Sequence, residues 1–438
     1  MSDAGRGTRV LLLATTTGYQ IRSFGAAAAA MGVQLVFASD RCDQLEDPWW
    51  DHAIPIRFHR EQESLDAIVA AFAASPPDGI LAVGDRPTVI AARAAELFGL
   101  PGNPPAAAAA SRNKLASRAA LRDAGLPTPS FEAMPLTSDV ADVAARTVYP
   151  AVLKPLALSG SRGVMRVDSA PELVVAFDRL RRLLQSADIR IERDPAHDQA
   201  LVEAFVPGAE FAIEGALTCG RFTPFTIFDK PDPLDGPFFE ETIYVTPSRL
   251  SAGVQQRVID AVAAAAGALG LRHGPVHAEC RVNARGVYVL EVAPRPIGGL
   301  CSRAVRFVRT RQSWNLGDQG TADGAPVSLE EVLLRHALGQ DISGYTREPR
   351  ASAVMMIPIP GRGVFRAVTG VTDARAVGGI DDVQITAKPD TRLVPLPEGR
   401  SYLGFIFAHG ERADDAEQAV RRAHAALRFT IDRELDVI

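Results

Sequence analysis

The chain has 438 residues, too many for one ordinary hydrophobic core, so two to four domains are expected. Hydrophobic residues make up 47% and charged residues 23%, as in globular proteins, and the net charge of −5 argues against a general nucleic-acid-binding surface. The alanine run 26–30 is too short to cross a bilayer, and residues 1–8 are unlike a signal peptide. None of the four cysteines forms a CxxC pair, so neither a zinc site nor a disulfide framework is indicated. We therefore expect a cytoplasmic protein without nucleic-acid or membrane partners.

The first part of the chain alternates apolar strands with helices. Strands are predicted over 10–14, 33–38 and 80–83, and helices over 21–31 and 65–74. This alternation favours a parallel sheet. The segment 15–18, Thr-Thr-Thr-Gly, follows the first strand but lacks the GxGxxG fingerprint. A module that packs on the next domain is therefore favoured over a dinucleotide site.

The middle of the chain also mixes the two element types. A helix over 111–124 has a stop signal in Gly125 and Pro127. After it we predict strands over 151–154 and 164–167, a helix over 171–184, and a strand that opens at Leu201. The last part reads as a smaller α+β unit, with strands over 353–359 and 402–408 and a helix over 414–428.

Two segments that alternate apolar and polar residues, 276–282 and 287–292, predict a β-hairpin. A three-residue loop over 284–286, with Gly286 in the left-handed conformation, closes it so that Asn283 faces Val287. In that register Glu279 faces Glu291. The predicted core face carries Ala278, Cys280, Val282, Tyr288, Leu290 and Val292, and the other face carries His277, Glu279, Arg281, Val289 and Glu291.

Two carboxylates that face each other across a hairpin have Cβ atoms only about 5 Å apart and repel unless a cation lies between them. Mg²⁺ commonly uses one or two carboxylates together with phosphate oxygens, so Glu279 and Glu291 are candidate metal ligands. The alternative is that Arg281 or Arg295 pairs with one of the glutamates. A slip of one residue would put the two glutamates on opposite faces.

Two further segments carry weaker signals. Lys154 ends an apolar strand and is followed by the glycine-rich loop 159–163, which suits a phosphate-covering hairpin but is also consistent with a plain β-turn. GxxxxGK[ST] is absent, so this is no P-loop. In the segment 201–211 a strand runs through Glu203 to a Pro-Gly linker and then to Glu210, a pattern that could serve adenine and ribose or leave solvated glutamates.

The order of these features resembles the ATP-grasp superfamily over about 106–306. It consists of Lys114, Lys154 with its glycine loop, Glu203 to Glu210, Glu279, and Glu291 to Arg295. Residues 9–105 resemble the pre-ATP-grasp α/β domain. The segments 235–241 and 295–299 and the C-terminal unit resemble the L-amino-acid ligase branch, whose members form dipeptides.

The resemblance implies three domains with both α/β and α+β character. They are a pre-ATP-grasp parallel-sheet domain at 1–105, a two-lobed ATP-grasp domain at 106–345 with a nucleotide-covering lobe at about 140–206, and a small α+β domain at 346–438. It also implies ATP and Mg²⁺ as cofactors, with Mn²⁺ as a substitute, and small-molecule carboxylate and amine substrates. A homodimer is consistent with it.

The resemblance also implies roles for individual residues. Lys114 and Lys154 would contact the ATP phosphates, and Gly160, Ser161 and Gly163 would belong to the closing loop. Glu203 and Val206 would lie at the adenine, and Glu210 at the ribose. Glu279 and Glu291 would hold Mg²⁺, while Arg295 would stabilise the acyl phosphate. His277, Arg303, Gly298 and Gly299 would lie near the substrate.

The sequence departs from the superfamily at Ala293. Glu-x-Asn is the commoner pattern at the second metal glutamate, and alanine cannot ligate a metal, so either Glu291 and phosphates hold a second ion or one ion suffices.

The activity that the resemblance implies is ATP-dependent joining of a carboxylate, for example an amino acid, to an amine through an acyl phosphate. The alternatives are a carboxylase-like enzyme that uses bicarbonate and a non-catalytic ATP-binding regulator. A reductase built on the N-terminal sheet is disfavoured because the glycine fingerprint is missing. The identity of the acid and amine does not follow from the sequence; Phe238, Phe239, Trp314 and Met356 are candidate pocket walls.

Overall fold

The structure is a computed structural model that describes residues 7–15, 20–40, 53–310, 322–399 and 401–433. At its N-terminal end lies a parallel sheet, with strands in the order Ile54–Pro55, Gln34–Ser39, Arg9–Ala14 and Gly79–Val83. The helices Ile21–Met31, Glu61–Ala71 and Thr88–Phe98 connect and flank these strands. The predicted parallel α/β unit is therefore confirmed. Residues 16–18 of the Thr-Thr-Thr-Gly segment lie outside the described residues.

The single helix predicted over 111–124 is wrong, because two helices, Pro105–Arg112 and Lys114–Asp123, occupy this region. Asn113 is extended and separates them. Its side-chain oxygen accepts hydrogen bonds from the N–H groups of Leu115 and Ala116 at 3.0 and 3.1 Å, which caps the second helix. The break makes Lys114 the first residue of that helix.

A small antiparallel sheet follows, with strands in the order Phe131–Pro135, Gln199–Ala204, Ala151–Pro155 and Met165–Val167. The helices Val140–Arg146, Ala170–Leu184 and Ala187–Arg190 accompany it, and a 3₁₀ turn covers Pro195–Asp198. One compact core lies between this sheet and the helices, with Leu153, Leu173 and Leu180 fully buried in it. We call the residues 131–204 the covering lobe.

The largest sheet has eight antiparallel strands and spans both later parts of the chain. Their order is Gly286–Ala293, Gly274–Asn283, Ala209–Thr218, Arg221–Asp229, Ile243–Thr246, Ala351–Ile357, Gly404–Gly410 and Ile380–Ile385. The helix Ala252–Ala268 packs near one end, and the helices Val371–Ala376 and Ala413–Ala426 pack near the other. Because Ile243–Thr246 pairs with Ala351–Ile357, strands from both sides of the predicted domain boundary at 345 belong to one continuous sheet.

Two small sheets complete the fold. One has strands Ala322–Ser328, Arg306–Thr310 and Tyr345–Arg347 and is followed by the helix Leu329–Ala337; the other has strands Arg392–Leu393, Gly363–Thr369 and Arg428–Arg433. A 3₁₀ turn, Cys301–Ala304, leads into the first. Leu12, Phe228 and Phe405 belong to one hydrophobic core although they come from three different parts of the sequence. The N-terminal sheet and the eight-stranded sheet therefore share one hydrophobic core.

Candidate functional site

A cavity of about 340 Å³ lies where the covering lobe, the eight-stranded sheet and the carboxyl ends of the N-terminal strands meet. Its lining includes most of the predicted site residues: Lys114, Lys154, Gly160, Ser161, Glu203, Val206, Glu210, His277, Glu279, Glu291, Arg295, Gly298 and Gly299. The predicted walls Phe239 and Met356 also line it, whereas Phe238 does not. Trp314 lies outside the described residues. Side chains that are far apart in sequence thus converge on one space.

Two predicted site residues are not part of this lining. The N–H of Gly163 donates to the carbonyl of Pro397 at 2.8 Å, and a Cβ on Gly163 would come within 2.9 Å of Leu180. Arg303 donates to Gln384 at 2.8 Å and lies 4.3 Å above the ring of Phe407. Gly163 therefore packs behind the glycine loop, and Arg303 contacts the C-terminal part of the fold.

Lys154 and Lys114 approach the cavity from different elements. Lys154 stands on the strand Ala151–Pro155 and contacts Glu203, which also pairs with Arg118 at 2.8 Å. Burial would raise the pKa of Glu203, but the charges of Arg118 and Lys154 outweigh it and hold that pKa at about 2. Lys114 donates to the carbonyl of Leu158 at 2.7 Å, beside the glycine loop. Both ammonium groups are therefore held by groups of the protein.

The hairpin pairs Glu279 with Glu291 as predicted, but its loop length and register differ from the prediction. Its loop has two residues, not three, since Asn283 pairs with Gly286. A β-bulge at Leu290 then adds one residue to the second strand and restores the expected pairing of the glutamates.

The predicted faces of the second strand are wrong for Tyr288, Val289 and Leu290. Val287 and Val289 are buried in the core, whereas Leu290 lines the cavity and Tyr288 is half-buried. The prediction had placed Tyr288 and Leu290 on the core face and Val289 on the opposite one. The physical reason is the shorter loop, which shifts the residues before the bulge by one position.

Glu279 belongs to a cluster of carboxylates that surrounds a lysine. Oxygens of Glu210, Glu241 and Glu279 lie within 4.8 Å of one another, a spacing that could hold a metal ion. The ammonium of Lys230 already lies among them, 2.9 Å from Glu210 and 3.1 Å from Glu279, and it also contacts Glu241. Burial would lower the pKa of Lys230, but these three carboxylates raise it well above its usual value. Lys230 thus offsets part of the negative charge of this cluster.

The pair formed by Glu279 and Glu291 fits a divalent cation better. Both side chains line the cavity, are partly exposed and offer the hard oxygen donors that Mg²⁺ prefers. Glu291 lies 3.8 Å from Lys114 and 3.7 Å from Arg295, so cationic groups surround it on the cavity side. Ala293 pairs with His277 in the sheet and supplies no side-chain donor.

His277 and Arg295 are buried cations that lie beside the two glutamates. Nδ1 of His277 lies 2.5 Å from Glu214, and Nε2 lies 3.4 Å from Glu279. Burial would lower the pKa of His277, but the charge of Glu214 raises it to about 9, so the imidazole is protonated at neutral pH. Arg295 donates to Asp85, from the N-terminal sheet, at 2.8 Å.

Sequence reasoning missed several residues of the site. Asp85, Gln20 and Glu241 line the cavity, and Lys230 and Glu214 hold its carboxylates and histidine. Glu241 lies in the segment 235–241 that carried the family resemblance, which was a usable signal. Lys230 and Asp85 each follow a strand, and no local motif marks them. Lys230 pairs with Glu279, 49 residues away, and Asp85 pairs with Arg295, 210 residues away.

Comparison with known proteins identifies the class. Residues 147–304 match the ATP-grasp domain, residues 25–102 match the ATP-grasp N-terminal domain, and residues 355–432 match the L-amino acid ligase C-terminal domain 2. The chain therefore contains an ATP-grasp domain, and it lies between segments that match the N-terminal domain of ATP-grasp proteins and a C-terminal domain of L-amino acid ligases. Each matched segment falls inside one of the three predicted domains, whose boundaries stay a proposal.

Among solved structures, the chain is similar to the L-amino acid ligase from Bacillus licheniformis. The TM-score is 0.80 and the identity 25%, and the match covers 98% of this chain and 100% of that one. A biotin carboxylase from Campylobacter jejuni shares the fold with a TM-score of 0.63 at 16% identity, over 99% of this chain and 94% of that one.

Curated relatives are similar over part of their length. An uncharacterized protein of Sinorhizobium fredii is 27% identical over 76% of this chain and 64% of its own length. An alanine–anticapsin ligase of Bacillus subtilis is 26% identical over 58% of this chain and 53% of its own length. The chain thus spans less than two thirds of these two relatives.

Within the described ranges, no helix combines the length and apolar character that crossing a lipid bilayer requires.

Proposed function

We propose that the protein is an ATP- and Mg²⁺-dependent carboxylate–amine ligase. It would activate the carboxylate of an amino acid as an acyl phosphate and join it to an amine, giving an amide or dipeptide with ADP and phosphate. The observation that carries the proposal is the convergence of Lys114, Lys154, the glycine loop, the glutamate pair and Arg295 on one cavity. The similarity to the L-amino acid ligase over 98% of the chain supports it.

The nucleotide would bind beneath the covering lobe. Val152, Val206, Phe239 and Leu290 supply an apolar lining that suits a flat adenine ring, and Glu210 would accept from ribose hydroxyls. Lys114 and Lys154 would neutralise the phosphates, and the glycine loop would cover them. Glu203 contributes through Lys154, which it holds in place.

The metal would be held by Glu279 and Glu291. Mg²⁺ held there would offset the charge that develops on the transferring phosphoryl group. With Ala293 in place of an amide ligand, this proposal needs only the two glutamates and the nucleotide's own oxygens.

The chemistry follows from charge. A carboxylate is a poor electrophile, and transfer of the γ-phosphoryl group to one of its oxygens provides phosphate as a leaving group. The amine then attacks the acyl carbon, and the buried guanidinium of Arg295 would stabilise the oxyanion that forms. Closure of the glycine loop over the cavity would keep water from the acyl phosphate.

The partners under this proposal are a small-molecule acid and a small-molecule amine. The homodimer, the cytoplasmic location and the absence of nucleic-acid partners remain predictions from the sequence.

The test is phosphate release from ATP and Mg²⁺, with amino acids supplied singly and in pairs, with and without bicarbonate. We expect release that requires an amino acid and an amide detectable by mass spectrometry. Lys154→Gln should lower the rate by at least about 100-fold, because a preorganised charge on the phosphates is lost. The matched control is Arg146→Gln, whose side chain pairs with Glu132 on the exterior of the covering lobe.

Other outcomes of this experiment would contradict the proposal. Release that follows bicarbonate alone would indicate a carboxylase-like enzyme. ATP binding without turnover under all of these conditions would indicate a regulator. AMP and pyrophosphate as products would exclude the acyl-phosphate route.

A further inference from the structure

Arg295 lies between two carboxylates that belong to different parts of the fold. Its Nε and Nη2 atoms are 2.8 and 3.4 Å from the oxygens of Asp85, while Nη2 is 3.7 Å from Glu291. Nη1 donates to the carbonyl of Pro296 at 3.1 Å. The guanidinium is 91% buried by its side-chain surface, so it cannot exchange these partners for bulk water. Its orientation therefore depends on the competition between Asp85 and Glu291.

We infer that Asp85 is a positioning residue for Arg295, one that keeps the guanidinium from moving closer to Glu291 than 3.7 Å and holds it at the reaction centre. This inference rests on the proposed function, in which Arg295 faces the reacting carboxylate and Glu291 faces the metal. Without the carboxylate of Asp85, the nearest anion to Arg295 is Glu291. The guanidinium would then move closer to Glu291, leave the oxyanion position and compete with Mg²⁺ for the same oxygens.

The backbone around Asp85 is built to fix its position. The residue follows the carboxyl end of the strand Gly79–Val83, and Gly84 before it has a φ of +88°, which favours glycine. The hydroxyl of Thr88 donates to the carbonyl of Asp85 at 2.7 Å. Burial would raise the pKa of Asp85, but the charge of Arg295 lowers it, so the side chain is a carboxylate.

A second contact from the N-terminal part of the chain supports the same segment. The side-chain amide of Gln20, which is 3% exposed, donates to the carbonyl of Ile297. The N–H of Ile297 donates to Glu214 at 3.1 Å. The segment 295–297 is thus held from both sides, and the N-terminal sheet takes part in the site through Asp85.

A purely structural tether between the two parts of the fold would predict something different. The pair formed by Arg112 and Asp194, at 2.5 Å, also joins distant segments and has similarly buried side chains, but neither residue lines the cavity. Asp194→Asn is therefore the matched control for Asp85→Asn, because both substitutions remove one carboxylate charge from an ion pair that joins two parts of the fold.

The experiment compares Asp85→Asn, Asp85→Glu and Asp194→Asn in the full chain. We expect Asp85→Asn to lower kcat for amide formation by about 10- to 100-fold, the range expected from misplacing a catalytic group. It should also raise several-fold the Mg²⁺ concentration needed for half-maximal ADP binding in calorimetry, with ADP affinity in EDTA unchanged. Asp85→Glu should recover part of the loss, and Asp194→Asn should match the wild type in both measurements.

A double-mutant cycle shows whether Asp85 acts through Arg295. In an Arg295→Ala background, Asp85→Asn should change kcat by less than about twofold, because the group it positions is gone. A full additional loss there, or equal behaviour of Asp85→Asn and Asp194→Asn, would overturn the inference. If the wild type formed no amide with any substrate pair, the proposed function would fail, whereas the Mg²⁺ dependence of ADP binding would still test the role of Asp85.

Discussion

Glu203 is a buried carboxylate of the site that is held between two cations. It is 4% exposed and lies between Arg118 and Lys154. In Glu203→Gln these two buried cations would lose their common counter-charge, and the expected cost is about 3–5 kcal/mol in the free energy of unfolding. Urea denaturation measures it.

The control for this prediction is Glu132→Gln, which removes the exposed partner of Arg146. Its expected cost is about 0–1 kcal/mol, because exposed pairs contribute little. Equal losses in the two variants would show that the cluster around Glu203 is not the buried, tightly coupled group described above.

His336 gives the protein an expected pH dependence away from the cavity. Its ring stacks on His273 with centroids 4.3 Å apart, and its Nε2 lies 2.8 Å from the hydroxyl of Thr218. Burial lowers the pKa of His336 from 6.5 to about 4. The unfolded chain therefore binds a proton in this window that the folded chain does not, and stability should fall as the pH falls from about 6.5 to 4.

The measurement is the denaturation midpoint as a function of pH for the wild type and His336→Gln. Glutamine keeps a hydrogen-bonding group but does not titrate, so the slope between pH 6.5 and 4 should become shallower. An unchanged slope would contradict the assignment.

At the same scale, the residues found from the sequence are those with a local pattern. Lys154 precedes a glycine loop, and Glu279 and Glu291 lie on strands that alternate apolar and polar residues, so they could be identified as candidate site residues. Lys230 and Asp85 could not, because what marks them is a partner brought close by folding.

At the scale of the elements, most strands and helices that periodicity predicted lie within a few residues of observed ones, but other elements, such as the helix Ala252–Ala268, were not predicted. Periodicity missed the break at Asn113, where a single side chain caps a new helix inside a continuous helical pattern. It also missed the bulge at Leu290. The predicted loop was one residue too long and the predicted second strand lacked the extra residue of the bulge, so the two differences cancel at the glutamate pair. Such features depend on hydrogen bonds rather than on apolar spacing.

A loop in the C-terminal part of the chain forms hydrogen bonds and an ion pair with the covering lobe. Glu398 forms a two-point pair with Arg179, at 2.5 and 2.9 Å, and its carbonyl accepts from Arg162 at 2.8 Å. Gly163, at the end of the glycine loop, donates to the neighbouring Pro397. These contacts join the lobe to the C-terminal part directly beside the glycine loop.

We predict that Glu398→Gln raises the KM for ATP several-fold, since the closed position of the lobe loses a charge-assisted pair. The control is Asp178→Asn, which removes an exposed pair with Arg181 on the same helix as Arg179. The exchange Glu398→Arg with Arg179→Glu should restore part of the affinity. No change in KM for Glu398→Gln would mean that the pair does not influence closure.

At the scale of the whole molecule, the cavity belongs to no single domain of the sequence. The N-terminal strands supply Asp85, the covering lobe supplies Lys154, the large sheet supplies the glutamates, and the C-terminal strands supply Met356. The class of fold could be predicted from the order of motifs. The continuous sheet across the predicted boundary at 345 could not be predicted, because no local sequence pattern indicates the pairing of two strands that are 105 residues apart.

The central claim is that a carboxylate is activated by phosphoryl transfer. The most direct measurement uses a substrate acid labelled with ¹⁸O in its carboxylate, together with ATP, Mg²⁺ and the amine identified in the phosphate-release screen. Because one carboxylate oxygen bonds to phosphorus and leaves with it, we predict one ¹⁸O atom in each phosphate released during amide formation. Unlabelled phosphate, or label in AMP, would contradict the account.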